Sequence, residues 1–134
     1  MNYVLDKDKD YRHKKVVFAL YELRPGSKWA FTGEVYEGLD WKDETQTKPT
    51  ESELFAKVTE LENAEPMQFL REERDRRISE CDWIVIKSKE TETDIPTAWK
   101  TYRQALRDLP ASANPKLDSE YDLDLSSVTW PTKP

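Results

Sequence analysis

The sequence predicts an α+β fold: a small N-terminal β-hairpin or sheet module, then two to three helices, then an irregular C-terminal tail. Three observations predict it. A run of β-branched and aromatic residues, Val16 to Leu23, precedes an Arg-Pro-Gly-Ser turn and a second aromatic run. From Leu54 onward apolar residues recur at helical spacing. Past Pro110 the chain holds Pro115, Pro131 and Pro134 and shows no helical period. The corresponding division is a β-rich module over residues 1–49, a connecting helix over 50–64 and a helical module over 65–134.

Tyr3 to His13 alternates Asp with Lys and Arg between isolated apolar residues, the pattern of an irregular arm that orders against a partner. Val16 to Leu23 is expected as a strand, pairing across the Arg24–Ser27 turn with Lys28 to Tyr36, and a third short strand is expected around Leu39-Asp40-Trp41. Gly26, Gly33 and Gly38 then serve turns or bulges of that hairpin. Thr50-Glu51-Ser52-Glu53 reads as a capping box that starts a helix with Leu54, Phe55, Val58 and Leu61 on one stripe, ending near Asn63. Glu65-Pro66 is expected to open a second helix with Met67, Leu70, Ile78 and Cys81 as apolar positions. Between Leu70 and Ile78 lies a run of mixed charges suited to an exposed face. Trp83-Ile84-Val85-Ile86 reads as extended and Lys87 to Thr93 as a charged loop. A third helix is expected from an Asp94 cap to Pro110, with Ile95, Trp99, Tyr102, Leu106 and Leu109 on one face. A short strand near Leu123 to Leu125 is the only regular element expected beyond it.

In 134 residues, 37% are hydrophobic and 36% charged, so small cores under well-solvated surfaces are expected. The five Trp and six Tyr must cement those cores or anchor partners. A net charge of −6 argues against a phosphate-backbone binder, because nucleic-acid affinity comes from clustered Lys and Arg. No window approaches a membrane span, and the first ten residues have no apolar stretch of signal-peptide length. One cysteine, Cys81, allows no internal disulfide and fits synthesis in a reducing compartment.

Candidates for chemistry are few. The single His, His13, sits among Arg12, Lys14 and Lys15 and is read as a solvated surface residue. Cys81 lies between Glu80 and Asp82, whose charges favour the thiol, and is read as a small buried residue. Acidic pairs such as Glu72-Glu73, or Asp122 with Asp124, have no supporting ligand pattern. Three glycines leave no phosphate-cradling loop. The expectation is a protein without catalytic residues, metal or cofactor.

Most informative is the block from Leu70 to Pro134. It contains Leu70-Arg71-Glu72-Glu73-Arg74-Asp75-Arg76-Arg77-Ile78, then Cys81-Asp82-Trp83, then Trp99-Lys100-Thr101-Tyr102-Arg103-Gln104-Ala105-Leu106-Arg107-Asp108-Leu109-Pro110, and last Trp130-Pro131-Thr132-Lys133-Pro134. This block resembles the phage tail assembly chaperone family, in which an Arg-rich helix, an Asp-Trp at its end, a Tyr-Arg-Gln-Ala-Leu-Arg-Asp helix and a terminal Trp-Pro occur in this order. Tyr36 to Thr50 also looks like the linker and hairpin segments of phage tail proteins.

The resemblance implies a non-catalytic protein that binds a phage tail or tail-fibre protein during assembly in the host cytoplasm. A permanent component of the virion tail or fibre is the rival within that class, and a small phage enzyme such as a cell-wall hydrolase the rival outside it. Homo-oligomerisation stays open, and neither nucleic acid nor membrane is an expected partner. Within the block, Trp83, Trp99, Tyr102 and Trp130 are expected to converge as an aromatic core, with Trp83, Trp99 and Leu106 on inward faces. Arg103 and Arg107 share what reads as an outward helical edge and, with Trp29 and Trp41 of the hairpin, are the candidate partner contacts.

Overall fold

The Asp6 carboxylate accepts hydrogen bonds from the backbone N–H groups of Asp8 (3.1 Å) and Lys9 (3.3 Å), and this cap starts helix α1, Lys7–Leu23. The expected arm and first strand are therefore one helix. Val16, Ala19 and Leu20 are buried along it, with Leu23 partly so, whereas Phe18 and Tyr21 face solvent. That is helical spacing, and it overrides the β-propensity of the Val-Val-Phe run. The charges read as an arm pair along the helix, Lys14 with Asp10 at 2.9 Å. The computed structural model describes residues 6–134, so the Tyr3 to Leu5 part of the expected arm lies outside the described residues.

The hairpin forms one strand later than expected. Strand β1 (Trp29–Phe31) pairs antiparallel with β2 (Leu39–Trp41), in register Trp29 with Trp41, Ala30 with Asp40 and Phe31 with Leu39. A single 3₁₀ turn, Tyr36–Gly38, delivers the chain into β2. Thr32 N–H donates to the Gly38 carbonyl at 3.1 Å, an approach so close that a Cβ on Gly38 would stand 1.9 Å from the Thr32 oxygen.

The loop after β2 is held by one carboxylate. Asp43 accepts from the backbone N–H of Gln46 (2.7 Å), Thr45 (2.9 Å) and Lys28 (2.9 Å). Those donors, Gln46 foremost, hold its carboxyl down to about 2.

Helix α2 runs unbroken from Glu51 to Glu80, replacing the two helices expected on either side of Asn63. Its start is the capping box: Thr50 Oγ1 accepts from Glu53 N–H at 3.1 Å, and the Glu53 carboxylate accepts from Thr50 N–H. Pro66 lies inside the helix and has no N–H to give the Glu62 carbonyl. The helix continues past it because Leu54 and Val58 before, and Leu70 after, are all buried.

The chain divides into two compact units, Met1–Ala64 and Glu65–Pro134. The core of the first is Val16, Ala19, Leu20, Leu39, Leu54 and Val58, with Trp29, Phe31, Tyr36 and Trp41 packed partly buried against it. Polar ties finish this unit: Arg24 donates to the Thr47 carbonyl (2.8 Å) and Glu53 (3.0 Å), and Tyr36 Oη to the Pro49 carbonyl (2.7 Å). His13, read as a solvated residue, has a structural place. Its Nδ1–H donates to the Gly33 carbonyl at 2.6 Å while its ring stacks on Phe31, centroids 5.0 Å apart.

In the second unit, helix α3 (Asp82–Thr91) occupies the stretch expected to be extended and then looped. Cys81 and Ile84 are buried while Trp83, Val85 and Ile86 are exposed, again helical spacing behind a β-like composition. Helix α4 spans Thr97–Asp108 and is preceded by Pro96 at its cap, not Asp94. Pro at the boundary costs nothing there, since the first turn's N–H groups have no intrahelical acceptor. In the tail, Leu117 and Leu123 form an isolated antiparallel bridge, and Leu125–Ser127 makes a 3₁₀ turn in place of continued strand. The architecture is α+β, with helices dominating one two-stranded sheet.

Candidate functional site

Unit 2 is pinned at the end of α2 by a residue from α4. Arg103 donates to the Ile78 carbonyl at 3.1 Å, stands 3.1 Å from the Cys81 sulfur and pairs with Asp82 at 3.0 Å. A guanidinium at the last turn of a helix meets unsatisfied carbonyls and the negative end of the helix dipole. Cys81, fully buried beneath it, donates its thiol to the Ile78 carbonyl at 3.2 Å and packs with Tyr102 and Leu106.

Around that core the rings meet edge to face. Trp83 and Trp99 lie 5.9 Å apart at 77°, and Trp99 and Tyr102 6.0 Å apart at 80°. Tyr102 is the buried end of this series and Trp83, 50% exposed, the open end.

The tail packs onto the same cluster. Trp130 packs against the Cys81 cluster, donates its indole N–H to the Leu125 carbonyl at 3.1 Å, and lies under the Arg77 guanidinium, 4.1 Å from the ring centroid. Arg77 is aimed by Glu73 at 2.8 Å, which also accepts from Arg76. Arg76 first, and Arg77 after it, hold the Glu73 carboxyl down to about 2. The run of charges in the sequence is thus a set of helix-surface pairs, of which Arg77 reaches the tail at Trp130.

An open cleft of about 800 Å³ is lined by Val85 of α3, by Ile95, and by α4 side chains including Lys100, Arg103, Ala105 and Arg107. Val85, Ile95 and Ala105 give it apolar surface, and α4 contributes three cations together with Asp108.

The family described as phage tail assembly chaperone protein matches residues 67–134, which span these helices, the cleft and the Trp130 strap. The chain belongs to that family. No curated protein and no solved structure matches it. The family places the protein in bacteriophage tail assembly.

In this chaperone-family unit the expected contact residues separate. Arg103 is not on an outward edge: its side chain is 14% exposed and spent on α2 and Asp82. Arg107 is exposed and, among the described residues, bonds only to the Gln104 amide oxygen, at 2.8 and 3.3 Å. Trp83, expected inward, is half-exposed, whereas Trp99 and Trp130 are partly buried and Tyr102 buried. In unit 1, Trp29 and Trp41 face each other across the sheet as half-buried partners. Trp29 touches Tyr21 edge to face at 5.4 Å, and Trp41 donates to the Gln46 carbonyl at 3.0 Å.

Sequence reasoning missed Lys100, Val85 and Ile95. The legible signal was the α4 sequence itself, basic at Lys100, Arg103 and Arg107 within a chain of net −6. Among the described residues no group of three or more His, Cys, Asp or Glu side chains is placed to hold a metal ion, and no helix is long and apolar enough to cross a membrane.

Proposed function

We propose that the protein acts without catalysis, binding another tail or tail-fibre protein while the tail is assembled in the host cytoplasm. The family match over residues 67–134 carries this reading. A second observation supports it: Trp83, Val85 and Ile86 of α3 are 50%, 39% and 60% exposed, a concentration of apolar surface that a partner would cover. Arg107, with Trp29 and Trp41, is assigned to partner contact, and Trp99, Tyr102 and Trp130 to holding unit 2 together. Arg103 acts by positioning α3 and α4 against the end of α2.

The test is a phage lacking this gene, with particles viewed by electron microscopy and finished virions analysed by mass spectrometry. A transient assembly helper predicts tailless or fibreless particles without it and no copies in wild-type virions. A fixed copy number in virions would make the protein a permanent tail component instead. Normal tails in its absence would refute the role.

A further inference from the structure

The α3–α4 cleft has a chemistry that names its occupant. Val85, Ile95 and Ala105 supply apolar surface, and Lys100, Arg103 and Arg107 stand beside it. Arg103 is neutralised by Asp82. Asp108, which also lines the cleft, accepts from the Gln104 amide at 2.9 Å and offsets one of the other two cations. Neither Lys100 nor Arg107 has a carboxylate partner among the described residues, so the cleft keeps a net positive charge in a chain of net −6. A net positive charge beside open apolar surface is complementary to a carboxylate-rich segment carrying an apolar side chain.

We propose that this cleft seats an acidic peptide segment of the assembly partner, with an apolar side chain on Val85, Ile95 and Ala105 and carboxylates at Lys100 and Arg107. This rests on the partner-binding reading and adds the place and the chemistry. A second copy of the chain is a poorer occupant. Its most acidic stretch, residues 118–124, is committed to its own turns: Asp118 accepts from the N–H of Glu120 and Asp122, and Asp124 from Ser126.

The experiment supplies the full-length protein, with a photo-crosslinking residue replacing Ala105, to cells infected by phage lacking the gene, and maps the crosslinked peptide. The expected product is one segment of another tail protein in which Asp and Glu outnumber Lys and Arg. A Lys100→Glu/Arg107→Glu variant should lower its yield about tenfold or more, with Lys100→Gln/Arg107→Gln intermediate. Circular dichroism of both variants should match the parent, since neither side chain is buried. A crosslink to a basic segment, to nucleic acid or to the same chain overturns the proposal, as does no crosslink or a yield unchanged by charge reversal. If the charge-reversed variant restores tails that the deletion lacks, the cleft is refuted while the assembly role stands. If the deletion itself makes normal tails, the assembly role is what fails.

Discussion

Replacing Trp130 by Ala tests whether the tail is a structural strap of unit 2. Three losses follow from the geometry. The indole hydrogen bond to Leu125 contributes about 1 kcal/mol. The contact with the Arg77 guanidinium, 4.1 Å above the ring, contributes about 0.5–1 kcal/mol at a partly exposed site. Partial burial of the ring against Cys81, Tyr102 and Leu106 adds about 1 kcal/mol, roughly half of what full burial of a large side chain is worth. A loss of about 2.5–3 kcal/mol is therefore expected, a large share of the ~5–15 kcal/mol that holds an ordinary domain. Equilibrium urea unfolding of the full chain, followed by far-ultraviolet circular dichroism, reads it as a lower midpoint. Trp130→Phe keeps a ring under Arg77 and loses the N–H, so about 1 kcal/mol is expected. Arg77→Ala combined with Trp130→Ala should be less harmful than the sum of the singles by about 0.5–1 kcal/mol. A loss under about 0.5 kcal/mol for Trp130→Ala, or strict additivity with Arg77→Ala, would refute the reasoning.

Other perturbations separate the remaining ties. Gly38→Ala sets a methyl 1.9 Å from the Thr32 oxygen, so the β1–β2 register must shift; a cost of about 2 kcal/mol or more is expected, read by urea unfolding and by changed amide shifts at Phe31 and Leu39. Arg103→Ala strips the Ile78 carbonyl and Asp82 of one donor and should cost about 2 kcal/mol, whereas Arg103→Lys, which keeps charge without the planar fork, should cost about 1; equal costs would mean that only charge matters there. For Asp43 the folded carboxyl titrates at about 2 against an ordinary 3.8, a depressed value. Its stabilisation is thus complete above the ordinary value and lost as pH falls from about 4 towards 2. Carboxyl-carbon NMR should find that low midpoint, and Asp43→Ala should make the acid limb of stability shallower; a midpoint near 4 would contradict the three-donor geometry.

The sequence revealed the C-terminal module better than the N-terminal one. Ordered motifs from Leu70 to Trp130 named the family, and the stripe through Trp99, Tyr102 and Leu106 located α4. The two errors of type share a cause. Phe18 and Tyr21, like Trp83, Val85 and Ile86, put aromatic and β-branched side chains on a helix's solvent face, so composition signalled strand while the buried positions, Val16, Ala19 and Leu20 or Cys81 and Ile84, kept helical spacing. Pro66 misled differently: a proline that elsewhere starts a helix sits inside one whose apolar stripe runs on. Of the candidate contacts, Arg107 was legible as exposed. Arg103 was not, because its carbonyl acceptor belongs to α2, distant in sequence. The cleft was invisible because Val85 and Lys100 meet only once α3 has become a helix.

Cys81 turns unit 2 into its own clock. It is the chain's one thiol, it is sealed at 0% exposure, and the Arg103 guanidinium lies against its sulfur. An alkylating reagent can reach it only while the unit is open, so the ratio of its labelling rates in folded and urea-unfolded protein measures how rarely that happens. The same ratio would register a bound partner: occupancy of the closed form slows labelling by one plus the partner concentration over its Kd. Affinity for an assembly partner is thereby readable from one sulfur atom, in the unmodified chain and without a probe on the cleft.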